Sequence, residues 1–299
     1  MLSTAEIVQR AWQAGTVVPG FNIPDLPMMA PVVRALRDTE SFGLIMVARL
    51  EWVKFQAGSL AAIRAEYERV KDERHTRLHL DHVPVIDEDG LAVDFEADIR
   101  EAIALGYGSV MVDSSRLPLA ENIRCTRRIV ELAHAHGVQV EAELGAVLGH
   151  EAGPLPPYDE LFASGKGFTD PAEARHFVAE TGVDWLSVAI GNIHGAISDA
   201  TRHQRKVTAR LSLERLRAIK DAVGIPLVLH GGTGIRREDI LASFRHGIAK
   251  INVATAIRQP YERALTESPE AAIEAVYTTM RAIIEDELHI AGNARLLAP

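Results

Sequence analysis

The chain reads as an α/β protein, a (β/α)8 barrel with an extra C-terminal helix. Three observations predict it. Short apolar runs alternate with amphipathic helical patterns along most of the 299 residues. Eight such runs are present, the number that closes a barrel. No Pro/Gly/Ser-rich linker separates them, so residues 1–299 count as one domain. An open doubly wound sheet is the competing arrangement, but no G-x-G-x-x-G follows the first strand.

The elements follow in order. "MLSTAEIVQRAWQAG" carries apolar residues at helical spacing and reads as an amphipathic helix rather than a signal peptide. Strands are expected at "TVVPGFNI" (16–23), "GLIMVAR" (43–49), "RLHLDH" (77–82) and "SVMVDSS" (109–115). Four more are expected at "VQVEAELG" (138–145), "WLSVAIG" (185–191), "PLVLHGG" (226–232) and "IAKINVAT" (248–255). Helical patterns lie between them, as in "DFEADIREAIALG", "DPAEARHFVAETG" and "LSLERLRAIKDAVG". Several end on glycine just before the next strand, where a left-handed residue stops a helix. The connection 146–169 is long for a compact domain, as lids and binding loops are. Pro269 to His289 is the extra helix.

Composition excludes several roles. A net charge of −9 disfavours a nucleic-acid surface, and the basic run "TRHQRKVTAR" (201–210) reads as a solvated segment. The single cysteine, Cys125, allows no intrachain disulfide, and its helical setting reads as a buried, inert thiol. No apolar run is long enough to span a bilayer, so the expected location is cytoplasmic.

The chemistry collects at the strand ends. Asp81 and His82 end the third strand, Asp113 the fourth and Glu143 the fifth. His194 lies just past the sixth, His230 ends the seventh, and Asn252 with Thr255 ends the eighth. A barrel gathers such positions on its C-terminal rim, where active sites are built. Three histidines from separate strands, His82, His194 and His230, suit a catalytic Zn²⁺ that keeps one position open. His134, His136, His176 and His246 fall in helical segments and read as solvated. Gly195, Gly231, Gly232 and Thr233, with "NVAT" (252–255), offer backbone N–H groups for a phosphate. Asp81 is open to three roles: orienting a ligand, binding the metal, or acting as general base. Strict alternation would send Asp81 and His82 to opposite faces, so an irregular backbone is expected at one of them. Asp113 and Glu143 are candidates to hold an alternative metal position or to orient the histidines. Glu141 reads as an interior, salt-bridged residue.

In order along the chain, "GFNI", "LHLDH", "SVMVDSS", "VEAELG", "VAIGNIHG", "PLVLHGGTGI" and "KINVAT" resemble the class II, zinc-dependent fructose-bisphosphate and tagatose-bisphosphate aldolases almost end to end. The resemblance implies a TIM barrel, a homodimer or homotetramer, and cleavage of a sugar phosphate to dihydroxyacetone phosphate and an aldehyde. It implies His82, His194 and His230 as zinc ligands, Asp81 as acid/base, and Asp113 and Glu143 near a second metal position. Gly195, Gly231, Gly232, Thr233, Asn252, Val253, Ala254 and Thr255 would hold the phosphate, beside a monovalent cation (Na⁺ or K⁺). Glu151 stands where the family carries a loop acid that moves a proton. Zn²⁺ would polarise the ketose carbonyl, so no Schiff-base lysine is needed.

The sequence departs from the family at "RLEWVKFQAGS" (49–59), where many relatives have a glycine- and hydroxyl-rich loop for a distal phosphate. Trp52 and Phe55 are bulky there, and Lys54 is a candidate cation for a carboxylate tail. Two other readings of the same residues stay open: a zinc epimerase, isomerase or hydrolase of sugar phosphates, and a non-catalytic sugar-phosphate-binding barrel.

Overall fold

A computed structural model of the chain describes residues 2–145, 157–192, 208–232 and 234–299. Eight parallel strands close on themselves in sequence order, with β1 paired to β8. They are β1 (Val18–Asn22), β2 (Gly43–Ala48), β3 (Thr76–Pro84), β4 (Ser109–Asp113), β5 (Gln139–Leu144), β6 (Trp185–Val188), β7 (Leu227–Leu229) and β8 (Ile248–Val253). The helices that matter below are α1 (Thr4–Ala14), α2 (Met29–Asp38) and α3 (Arg49–Lys54).

Two apolar layers hold the barrel. The larger packs strand residues such as Ile45, Leu80, Val112 and Leu229 against the surrounding helices. The smaller lies at the N-terminal end, where Val18, Leu44, Met46, Trp185 and Val228 pack on Ile7, Val8 and Ala11 of α1 and on Leu297 near the C-terminus. Helix α1 starts at a capping box between Ser3 and Glu6 and stops at Gly15, whose φ of 64° suits glycine. This plug closes one end of the barrel, so chemistry is left to the other.

Several boundaries differ from the sequence expectation. Strand β3 runs past His82 to Pro84. Thr255 does not end β8; it opens the helix Thr255–Leu265. The stretch after β2 is not an open loop but the short helix α3. The described part of the 146–169 connection holds a helix, Tyr158–Ser164, capped by Gly165. The C-terminal helix is Pro269–Ala282, continued by a π-helical turn at Ile283–Glu287. Cys125 is half-buried rather than buried, and burial pushes its thiol up. Among the described residues, no helix is long and apolar enough to cross a membrane.

Candidate active site

The site begins with an extra residue in β3. Its pairing with β4 steps from Leu80↔Val110 to Val83↔Val112, so Asp81 and His82 together oppose Met111 alone. This is a β-bulge, and His82 takes the extra position with a φ of 28°. Such a left-handed backbone costs roughly 1–2 kcal/mol for a residue other than glycine. It turns His82 to the side Asp81 already faces. Asp81, His82 and His230 then present ligand atoms that all lie within 4.8 Å of one another.

Asp81 is held from both sides. Asn22, the last residue of β1, donates from Nδ2 to Oδ2 at 2.9 Å. Asn252 of β8 donates from Nδ2 to Oδ1 at 3.0 Å. Burial works to raise this carboxyl, but His82, Lys250 and His230 outweigh it and hold Asp81 well below the usual carboxylate range. It is therefore ionised and buried, with both oxygens engaged by amides.

Each imidazole of the site turns a nitrogen to a carboxylate. Nδ1 of His82 lies 3.0 Å from Oδ2 of Asp113, whose Oδ1 accepts from the Ser115 amide and hydroxyl. Nε2 of His230 is bonded to Oε1 of Glu141 at 2.8 Å, and its Nδ1 lies 3.0 Å from Oε2 of Glu143. The His82 and His230 rings meet edge to face, 4.5 Å between centroids. Carboxylate–histidine pairs of this kind fix the tautomer of a metal-ligating ring. The donor set of two imidazoles and a carboxylate fits a borderline-soft divalent cation such as Zn²⁺. His82, Asp113 and Glu143 form a second group within the same 4.8 Å limit.

A third group, His79, Asp81 and Glu141, also meets that limit. Here the place of a cation is already taken. Lys250, fully buried in β8, sets Nζ 2.9 Å from Oε2 of Glu141 and donates to Oδ1 of Asn252 at 2.6 Å. Burial and the nearby Lys250 bring His79 down to about 3, so it is a neutral ring bonded to Ser109. Glu141 is thus the interior, salt-bridged residue the sequence suggested.

The glycines after β7 are constrained twice. Gly231 has a φ of 66°, and a Cβ on Gly232 would meet Cδ1 of Ile251 at 2.9 Å and the Asn252 carbonyl at 3.1 Å. Val253 ends β8, Ala254 follows, and Thr255 starts an 11-residue helix, so a helix N-terminus stands beside this glycine pair. The Asn252 side chain is turned to Asp81 rather than towards them. Four residues past the end of β6, Asn192 donates to the His230 carbonyl at 3.0 Å and ties the two connections together.

The structure therefore brings Asp81, His82, His230, Asp113, Glu143 and Asn252 into one cluster, with Gly231, Gly232, Val253, Ala254 and Thr255 at the ends of the adjacent β7 and β8. Glu151, His194, Gly195 and Thr233 lie outside the described residues. Sequence reasoning missed Asn22, Glu51, His79 and Lys250. Asn22 was accessible from the strand-end rule, applied to β1 as well as to later strands. Lys250 was accessible from its spacing, two residues before Asn252 on the same face of β8.

The family model for class II fructose-bisphosphate aldolase matches residues 2–295. The chain belongs to the class II aldolase family. As an aldolase it is a lyase, and zinc-dependent aldol cleavage is general among its relatives. Among solved structures it is similar to the YdjI aldolase from Escherichia coli K12, at 27% identity and a TM-score of 0.76, covering 98% of this chain and 100% of that one. It also shares its fold with the fructose-bisphosphate aldolase of Campylobacter jejuni, at 20% identity and a TM-score of 0.73, covering 96% of this chain and 94% of that one.

In the region after β2 of this aldolase, Arg49 and Lys54 are both paired with acids. Arg49 is paired with Asp98 at 3.2 Å and with Asp87 at 3.9 Å. Lys54 is paired with Glu88 at 2.8 Å and Asp89 at 2.7 Å, so a carboxylate tail would compete with two acids for it. Trp52 packs against the core, while Phe55 is 38% exposed under the guanidinium of Arg258.

Proposed function

We propose that this aldolase cleaves a ketose 1-phosphate or ketose bisphosphate reversibly to dihydroxyacetone phosphate and an aldehyde. The reading is carried by Asp81, an ionised carboxylate clamped between two asparagine amides within 4.8 Å of the ligand atoms of His82 and His230. In the proposal His82, His194 and His230 hold Zn²⁺, with Asp113 and Glu143 orienting the rings or offering a second position. The ion would supply the positive charge that polarises a ketose carbonyl. Asp81 takes the proton from the hydroxyl on the carbon that becomes the aldehyde, and returns it in condensation. Glu151 exchanges the proton on the neighbouring carbon of dihydroxyacetone phosphate. Gly195, Gly231, Gly232, Thr233 and the backbone from Asn252 to Thr255 hold its phosphate, with a monovalent cation beside it, since N–H groups at a helix start favour an anion. Assembly as a homodimer or homotetramer belongs to the same proposal.

The far end of the substrate is proposed not to carry a phosphate, because Arg49 and Lys54 are already committed to four acids. Steady-state cleavage should be compared across fructose 1,6-bisphosphate, tagatose 1,6-bisphosphate and ketose 1-phosphates with neutral or carboxylate tails. A ketose 1-phosphate is expected to give the highest kcat/KM. A wide margin for either bisphosphate would overturn the far-end assignment, and no release of dihydroxyacetone phosphate from any of them would overturn the function itself.

A further inference from the structure

Glu51 is a buried carboxyl three residues beyond the end of β2, in the first turn of α3. One of its oxygens, Oε2, accepts the Ala48 backbone N–H at 2.7 Å. This is the reach-back half of a capping box, and by itself it would only start a helix. The same oxygen also faces Nδ2 of Asn22 at 3.4 Å. That nitrogen is the one that donates to Asp81 at 2.9 Å. A side-chain amide has two N–H groups, and here they serve two carboxyl groups, one on each side. Asn22 is thus fixed between a backbone-anchored oxygen and the proton carrier.

We infer that Glu51 is a positioning residue for Asp81, acting through the Asn22 amide as a fixed oxygen acceptor. The inference rests on the proposed role of Asp81. Its logic is geometric. Asn252, on the opposite side of Asp81, is itself anchored, because Nζ of Lys250 donates to its carbonyl oxygen at 2.6 Å. Among the described residues, Glu51 is the anchor of Asn22 on the β1 side. Glu51 is buried, so its acceptor oxygen is held away from water between the Ala48 and Asn22 donors. Glutamine reproduces that oxygen; a thioether does not.

The test uses zinc-loaded, full-length protein and three variants, Glu51→Gln, Glu51→Met and Asn22→Ala. Two reactions are followed. Condensation of dihydroxyacetone phosphate with a panel of aldehydes requires the proton carried by Asp81. Exchange of the hydroxymethyl hydrogen of dihydroxyacetone phosphate with deuterated solvent involves no aldehyde hydroxyl and so does not. Glu51→Met should lower kcat for condensation about 10–100-fold, the usual range for losing an outer-shell support, with KM for dihydroxyacetone phosphate and zinc content held. Its exchange rate should stay within about threefold of wild type. Glu51→Gln should recover most of the lost kcat. Combining Glu51→Met with Asn22→Ala should cost no more than Asn22→Ala alone, because both act through one amide. If Glu51→Met does not yield folded protein, Glu51→Asp, one methylene too short to span both donors, takes its place.

Equal loss of exchange and condensation would make Glu51 a merely structural residue and overturn the inference. So would unchanged condensation in Glu51→Met, or a Glu51→Gln variant as slow as Glu51→Met. If wild-type protein neither condenses nor exchanges dihydroxyacetone phosphate, the function proposed above fails first and the inference falls with it.

Discussion

Asp81 and His82 are consecutive in the chain, yet their ligand atoms lie within 4.8 Å of each other and of His230. In a regular strand they would face opposite ways. The bulge at His82 makes them partners, with Asp81 carrying negative charge against a ring that needs it.

This pairing sets a pH dependence for metal uptake. Burial works to lower His82, but Asp81 and the hydrogen bond to Asp113 push it up to about 10 in the metal-free protein. Near neutral pH the ring therefore carries a proton that Zn²⁺ must displace, and affinity should rise with pH throughout the range below that value. Calorimetry in buffers of different ionisation enthalpy near pH 7 should register net proton release as the ion binds. No proton release would show that His82 is already neutral in the metal-free protein. His82→Ala and His230→Ala should each lose the metal by elemental analysis while keeping the barrel's circular dichroism.

Asp81→Asn should lower turnover by about 10²–10⁴-fold, the usual contribution of an acid–base group. It should also destabilise the protein. Asn22 and Asn252 both donate to Asp81, and an asparagine there presents one acceptor and one donor. One flanking amide is left facing another N–H, a loss on the order of 1–3 kcal/mol for a buried group. Thermal denaturation with zinc content measured in parallel checks both parts, and near-normal turnover would move the proton to another group.

Lys250→Met should cost about 3–5 kcal/mol, because it leaves Glu141 buried opposite no ammonium. Burial works to raise Glu141, yet Lys250 and His230 bring it down to about 2, so the carboxylate depends on those cations. Adding Glu141→Gln to Lys250→Met should return part of the loss. Chemical denaturation of the two single variants and the double variant gives the coupling. Strict additivity would contradict the interior ion pair.

Glu51 contributes a penalty that grows with alkalinity. Burial holds it at about 8, above its ordinary value of 4.5. Between those values the unfolded chain has given up the proton and the native protein keeps it, so stability falls as pH rises, by up to about 1.4 kcal/mol per pH unit. Glu51→Gln removes that dependence. Its Tm relative to wild type should increase from pH 5 to pH 8, and a constant difference would mean that Glu51 is already ionised in the native protein.

Much of this was legible in the sequence, for physical reasons. The alternation of apolar runs and amphipathic helices is a direct imprint of a parallel barrel, and residues at strand ends must share its rim. Asp113, Glu143, His230 and Asn252 were found that way. The orientation of His82 was only half legible: alternation showed that something must be irregular, not that β3 would take an extra residue and continue to Pro84. Glu51 was hidden because a carboxylate in the first turn of a helix is ordinary, and its reach to Asn22 is made across strands. The environment of Lys54 was hidden for a similar reason, since Glu88 and Asp89 lie far along the chain.

The bulge in β3 also bears on which mutations the chain can survive at this point. A substitution at Leu80 or Val83 changes a packing contact and leaves the count of residues between the strand start and His82 unchanged. Removal of one residue anywhere from Leu78 to Val83 would take up the bulge and leave a regular, alternating strand. Either the acid or the ring would then face the surrounding helices, with the composition of the strand almost intact. Insertions and deletions should therefore be far more damaging here than point changes, and a library that varies length will find this strand silent where a library that varies residues does not.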